Sequence, residues 1–207
     1  MLWPSLMILG TAGLLWAWHA RPQQRRSILT VIAVACLGFQ VAHMGEHLAQ
    51  AVVWITAPTR PPFLTPWAEL GAAALTLPGH PGSGDELLHL AGNLVFLAGL
   101  IALAVLAPRR PTSLTAALAI QAIHVAEHLA LTVSAVIAGR AIGLTTGFGT
   151  LDPGPILWSF RVNAHLALNT AATLFAAVAV TRFLRGRSAG RLGDEGPTRP
   201  PTRVSAV

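Results

Sequence analysis

Five stretches of this chain are too apolar and too long to sit comfortably anywhere but inside a lipid bilayer. About 20 predominantly apolar residues cross the hydrocarbon core as a helix. The runs Leu2–Trp18, Ser27–Thr56, Asp85–Ala107, Ser113–Gly139 and Ile156–Leu184 approach or exceed that length. The second and fifth are longer than needed, so they should tilt or project into water. Composition points the same way. Of 207 residues, 53% are hydrophobic and 11% charged, against about 25% charged in an ordinary soluble domain. The single cysteine, Cys36, lies in an apolar run, which excludes an internal disulfide framework and a Cys-rich metal site.

All fourteen basic residues are arginines, and their placement predicts an orientation. One side of the membrane collects Arg21, Arg25, Arg26, Arg109, Arg110, Arg182, Arg185, Arg187, Arg191, Arg199 and Arg203; the other has Arg60, Arg140 and Arg161. The positive-inside rule then puts the N-terminus outside and the C-terminus in the cytoplasm of a plasma (inner) membrane. Trp3, Trp54 and Trp158 fall at the outer interface, and Trp16 and Trp18 at the inner one, as an aromatic belt would. The first run resembles a secretory signal but lacks a basic leading segment, and arginines follow it instead; it reads as a retained helix. From Arg185 onward, glycine, proline and arginine predict a disordered basic tail attracted to anionic lipid rather than to nucleic acid.

An internal repeat organises the rest. Gln40–Ala49 (QVAHMGEHLA) matches Gln121–Ala130 (QAIHVAEHLA) at six of ten positions, and His89–Asn93 (HLAGN) matches His165–Asn169 (HLALN) at four of five. The expected fold is therefore an all-α integral membrane protein with five transmembrane helices, N-out and C-in. Residues 1–20 form a first helix outside the repeat. Residues 27–107 and 113–184 form two tandem two-helix units that close into a four-helix bundle, and residues 185–207 form the tail. Both units run in the same direction, so an approximate two-fold axis along the membrane normal should relate them.

Helical geometry gives the repeated spacings their meaning. Gln40, His43, Glu46 and His47 fall at i, i+3, i+6 and i+7, one polar stripe, and Gln121, His124, Glu127 and His128 form its copy. His89 with Asn93, and His165 with Asn169, are four apart and share a face. His89 lies about 6–8 Å along its helix from the outer end and His47 about 12 Å short of its own, so all six histidines can meet in the outer half of the bundle. An acidic residue at mid-helix costs roughly 2.5–3.5 kcal/mol to insert, so Glu46 and Glu127 need partners, and the histidines beside them are the nearest candidates.

Eight candidate metal ligands follow: His43, Glu46, His47, His89, His124, Glu127, His128 and His165, with both glutamates also candidates for bridging or proton transfer. Gln40, Asn93, Gln121 and Asn169 are expected to support the ligands from behind or to bond helix to helix. Imidazole with carboxylate suits iron or copper, with zinc a third candidate. Haem b on two histidines is the alternative cofactor. Eight ligands exceed what a closed structural zinc site uses. Asp85 and Arg161 precede His89 and His165 by four residues and carry opposite charges, so a salt bridge between them would cap the site. His19 reads as interfacial, and His80 as a loop residue with no counterpart in the second unit. Thr65-Pro66 should begin a short surface helix to about Leu77, and Ser83 with Glu86 reads as a capping box.

The stretch LLHLAGNLVFLAG, Leu87–Gly99, resembles the second membrane helix of rhomboid proteases, whose histidine and asparagine help stabilise an oxyanion. That resemblance covers one helix. The Gly-x-Ser-Gly nucleophile motif it implies is replaced by Pro81-Gly82-Ser83-Gly84, ahead of the helix, and the repeat accounts for HLAGN without it. The H-x-x-E-H boxes are also similar in ligand chemistry to those of membrane di-iron hydroxylases and desaturases. The resulting expectation is a membrane oxidoreductase with a dinuclear iron or copper centre, acting on a small or lipid-soluble substrate. The alternative is a haem-b-type electron carrier or a metal-binding or sensing protein without catalysis. Largely apolar inner halves of the helices disfavour ion transport.

Overall fold

The structure is a computed structural model that describes residues 12–56, 65–108, 110–147 and 155–194. Among these residues every regular element is a helix. Residues 12–19 form α1, followed by α2 (Pro22–Thr56), α3 (Pro66–Leu75), α4 (Ser83–Leu106), α5 (Thr112–Ala138), α6 (Leu144–Gly147) and α7 (Pro155–Asp194). Four helices are long and apolar enough to cross a membrane, over Pro22–Val53, Ser83–Leu106, Thr112–Ala138 and Asn163–Arg185. The chain is a multi-pass membrane protein by this measure. Most of the expected first span falls on residues 1–11, outside the described residues, so the count stands at four.

Helices α2, α4, α5 and α7 form a ring in which each packs on the next and α7 returns to α2. Short α3 leans on α4, and α6 lies against α7. Because α3 joins α2 to α4 and α6 joins α5 to α7, both sit at one end of the bundle. At the opposite end, Arg26 and Arg182 line a cavity of about 320 Å³ together with Pro108 and Pro111 of the α4–α5 connection. The Arg25 guanidinium lies 5.4 Å from the Trp18 ring, a cation–π contact that ties α1 to the start of α2.

Toward the arginine end the core is apolar and built from small residues. Phe96, Leu100, Leu103 and Leu114 pack with Ala117, Ala172, Ala176 and Ala179. Alanines let the backbones approach closely where hydrocarbon surrounds the bundle and no hydrophobic drive separates helix from lipid. Gly99 carries this furthest: a Cβ there would stand 2.8 Å from Cys36 Cβ on α2. The outer surface is the reverse of a soluble protein's. Val34, Val41, Leu48 and Ile55, each seven residues apart, form an exposed apolar stripe on α2, while Gln40, His43 and His47 of the same helix are buried. Hydrocarbon outside and polar side chains inside is the arrangement a bilayer selects.

Of three local expectations, one holds and two meet differences. Thr65 does cap α3, accepting the Ala68 amide at 3.4 Å, and Pro66 opens the helix. Ser83, expected as the N-cap of α4, is instead inside the helix; Gly82 caps it with φ +89°, a left-handed conformation that glycine adopts without strain. The Ser83 hydroxyl accepts the Leu77 amide at 3.0 Å, closing the preceding turn. Finally, α7 runs to Asp194 where a disordered tail was expected from Arg185. Residues 195–207 of that tail lie outside the described residues.

Gly99→Val should force α2 from α4 and cost about 1–3 kcal/mol, the usual range for overpacking. The measurement is thermal unfolding in detergent. Gly38→Ala, whose Cβ would meet nothing within 4 Å, should leave the melting temperature equal or higher.

Candidate metal centre

Toward the α3/α6 end the bundle core changes from alanine and leucine to histidine and amide. All six intramembrane histidines converge there. His43, His47, His124, His128 and His165 are buried and His89 is half-buried. Within α2, His47 Nε2 lies 3.2 Å from His43 Nε2; within α5, His128 Nε2 lies 3.2 Å from His124 Nε2. Among the described residues, one group of three offers ligand atoms all within 4.8 Å of one another: His124, His128 and His165. These three buried imidazoles can hold a metal ion.

The ring contacts come in matching sets. His47 stacks on His165 at 6.3 Å and 7°, and His128 stacks on His89 at 5.5 Å and 8°. His43 and His89 stand 6.3 Å apart, His124 and His165 5.3 Å. His47 and His89 are 5.8 Å apart, His128 and His165 4.6 Å. In each of the last two comparisons the contact within α5 and α7 is the shorter.

Several groups orient the rings. His89 Nδ1 donates to the Asp85 carbonyl at 2.7 Å, leaving Nε2 with its lone pair. His47 Nδ1 donates to Gln50 Oε1 at 3.1 Å, with the same result. His43 lies against Gly92, where a Cβ would meet the imidazole at 3.5 Å, so a glycine on α4 gives the ring its seat.

The amides expected behind the ligands make a different set of bonds. Gln40 Nε2 donates across the bundle to Asn169 Oδ1 at 3.0 Å and Thr173 Oγ1 at 3.1 Å. Gln121 Nε2 donates to Asn93 Oδ1 and to the Asn93 carbonyl, both at 2.9 Å. Each asparagine passes the interaction on, Asn93 to the His89 carbonyl at 2.9 Å and Asn169 to the His165 carbonyl at 3.0 Å. These four residues therefore bond helix to helix, and reach the histidines through backbone rather than ring nitrogens.

The glutamates turn away from the histidines expected to partner them. Glu46 accepts the Thr65 amide, the N-cap of α3, at 2.9 Å. Glu127 accepts the Leu144 amide at 2.6 Å, the Thr145 amide at 2.9 Å and the Thr145 hydroxyl at 2.6 Å. One step along a helix rotates a side chain by about 100°, so with His47 and His128 facing the core, Glu46 and Glu127 face the flank where the connecting segments cross. Carboxylates at the start of α3 and α6 also complement the unpaired amides there. Sequence inspection missed Thr65 and Thr145 as their partners; a Thr-Pro and a Thr-Thr pair at equivalent places after the two boxes were the available signal.

A family model matches residues 1–201. The chain belongs to the DUF6008 family, a family of unknown function. No curated protein and no solved structure matches it. Of the eight expected ligands, His124, His128 and His165 form the group of three. His43 and His47 form a close pair with His89 beside them, and Glu46 and Glu127 are engaged by backbone amides. The Asp85 carbonyl serves His89, while the Arg161 side chain, like those of Trp54 and Trp158, lies outside the described residues.

Glu127→Ala should release residues 144–147 from the bundle. Losing charge-assisted bonds to a buried carboxylate costs about 1–3 kcal/mol, so amide hydrogen exchange at Leu144 and Thr145 should accelerate. Glu46→Ala should accelerate exchange at Thr65 alone.

Proposed function

We propose that this chain is a membrane metalloprotein in which two histidine trios, His43/His47/His89 and His124/His128/His165, each bind one metal ion. We further propose that it acts as an oxidoreductase on a small or lipid-soluble substrate. The observation that carries this reading is the pair of Nε2–Nε2 separations, 3.2 Å in both α2 and α5. Two imidazoles on one tetrahedral ion at metal–nitrogen distances of about 2.0–2.1 Å stand about 3.3–3.4 Å apart. The same spacing twice, at equivalent positions of a sequence repeat, favours two like half-sites about a pseudo-two-fold axis. Three ligands per ion leave a position open, as in catalytic rather than structural sites.

An all-imidazole donor set shifts the preference to copper ahead of iron, because the glutamates that would favour iron are spent on α3 and α6. The bound metal would supply one-electron changes. The chain's own residues hold the imidazoles at fixed angles, keep bulk water out with apolar walls, and offer Glu46 as a proton acceptor at the rim. Gln121 Oε1 and His124 Nδ1 are both buried without a hydrogen-bond partner and lie three residues apart. One bridging water would satisfy both and hold the ring with Nε2 toward the metal. Haem b is the less favourable cofactor, since i, i+4 histidine pairs crowd the faces a porphyrin would occupy.

Protein purified in mild detergent from its native membrane should carry about two metal ions per chain, the number two three-ligand sites hold. His43→Ala and His124→Ala should each lower the content, while His80→Ala should not. A Soret band without stoichiometric metal would replace the metal pair by haem, and protein free of both would end the reading.

The arginine asymmetry orients the site toward the extracytoplasmic side of the plasma membrane. In a Cys36→Ser background, a cysteine inserted after Gly79 should react with an impermeant thiol reagent in intact cells, and one after Gly193 should not. The opposite pattern would turn the centre toward the cytoplasm.

A further inference from the structure

We propose that the two half-sites have diverged, and that the first opens sideways into a binding site for a lipid-soluble phenol. This inference rests on the histidine centre described above but not on which metal it holds. A cavity of about 430 Å³ lies between α2, α3 and α4, within the usual range of small-molecule sites. Its walls are Phe39, Ala42, Gly45, Trp67, Ala68 and Leu88, and its polar groups are His43, His89, Glu46 and Thr65.

The first half-site is open where the second is closed. His89 and Glu46 are half-buried, whereas their counterparts His165 and Glu127 are buried. Ala42 and Gly45 are exposed on the lipid-facing flank of α2, so the mouth meets hydrocarbon rather than water. At the matching positions of the second repeat the residues are Ile123 and Ala126, which are bulkier. The segment crossing there rests directly on the carboxylate: a Cβ on Gly143 would stand 2.5 Å from Glu127 Oε1. In the first repeat the crossing segment is the longer α3, which is held at its cap and spans the cavity instead of filling it.

The lining specifies the ligand. Phe39 and Trp67 are two aromatic groups suited to a planar ring, and Phe39 already stacks on His43 at 6.0 Å and 17°. Glu46 has one carboxylate oxygen on the Thr65 amide, leaving the other to accept a proton donor. A ligand whose ring lies among Phe39, Trp67 and Leu88 and whose hydroxyl reaches the second Glu46 oxygen matches both the walls and the polar end. An apolar molecule without a hydroxyl leaves that oxygen without a donor, and a flexible alkyl alcohol forgoes the aromatic contacts.

The test uses the full chain in lipid nanodiscs, with β-naphthol as ligand and naphthalene and decanol as comparisons. β-Naphthol should bind about tenfold or more tightly than naphthalene, as a hydrogen bond to a charged acceptor allows, and more tightly than decanol. Gly45→Leu should abolish the preference without lowering metal content, because a Cβ at Gly45 meets nothing within 4 Å and Leu would extend into the mouth. Ala126→Leu in the second repeat should leave it intact. Photolabelling of the unmodified protein with para-hydroxybenzophenone should mark residues 39–46 or 65–68, so the proposal does not depend on a variant that folds. Equal binding of β-naphthol and naphthalene, equal binding of decanol, or labelling elsewhere would overturn it. Protein that lacks metal but still shows the naphthol preference would overturn the metal reading and leave the pocket standing.

Discussion

An amide buried in hydrocarbon has no water to fall back on, and four of them set the geometry of this bundle. Gln40 can reach Asn169 only if α2 and α7 meet at one register, and Gln121 fixes α5 against α4 in the same way. Each unmade bond of this kind would cost a large desolvation penalty. Gln40 shares a helical stripe with His43 and His47, so pinning the amide also sets the rotation of α2 about its axis. The asparagines extend the constraint to the third histidine of each trio, since Asn93 and Asn169 hold the carbonyls of His89 and His165. The imidazoles converge because the amides leave the helices little other choice.

Most of the fold was legible because hydropathy is a direct statement about solvent. Three of the expected spans begin and end within a few residues of α2, α4 and α5, and α7 starts where expected, at Pro155, but continues well past Leu184. No proline interrupts the stretch between Leu184 and Asp194, although Gly186, Gly190 and Gly193 lower its helix propensity. The candidate site was legible as a set of residues that share a stripe, because i, i+3, i+4 and i+7 spacing needs no tertiary knowledge. The partners of Glu46 and Glu127 were not legible. Both carboxylates are satisfied by backbone amides of connecting segments, and a pattern of side chains along one helix carries no information about which amide will pass over it.

The bundle divides its labour along its length. Toward the arginine end, alanines and Gly99 bring the helices close. Toward α3 and α6, buried imidazoles and amides take the place of the alanines. Helix contacts at one end thus support the placement of the six imidazoles at the other.

Duplication alone would yield two equivalent half-sites, and the connecting segments are where this chain departs from equivalence. Glu127 receives three donors from a segment of four helical residues that lies directly on it, whereas Glu46 receives one from the cap of a ten-residue helix. A carboxylate held by three donors has little capacity left for chemistry and serves as a latch. One held by a single donor keeps an oxygen to offer, and it does so at the wall of a cavity. The two glutamates hold the same place in the two matched motifs. Their different loads come from the connecting segments, which the two units do not share.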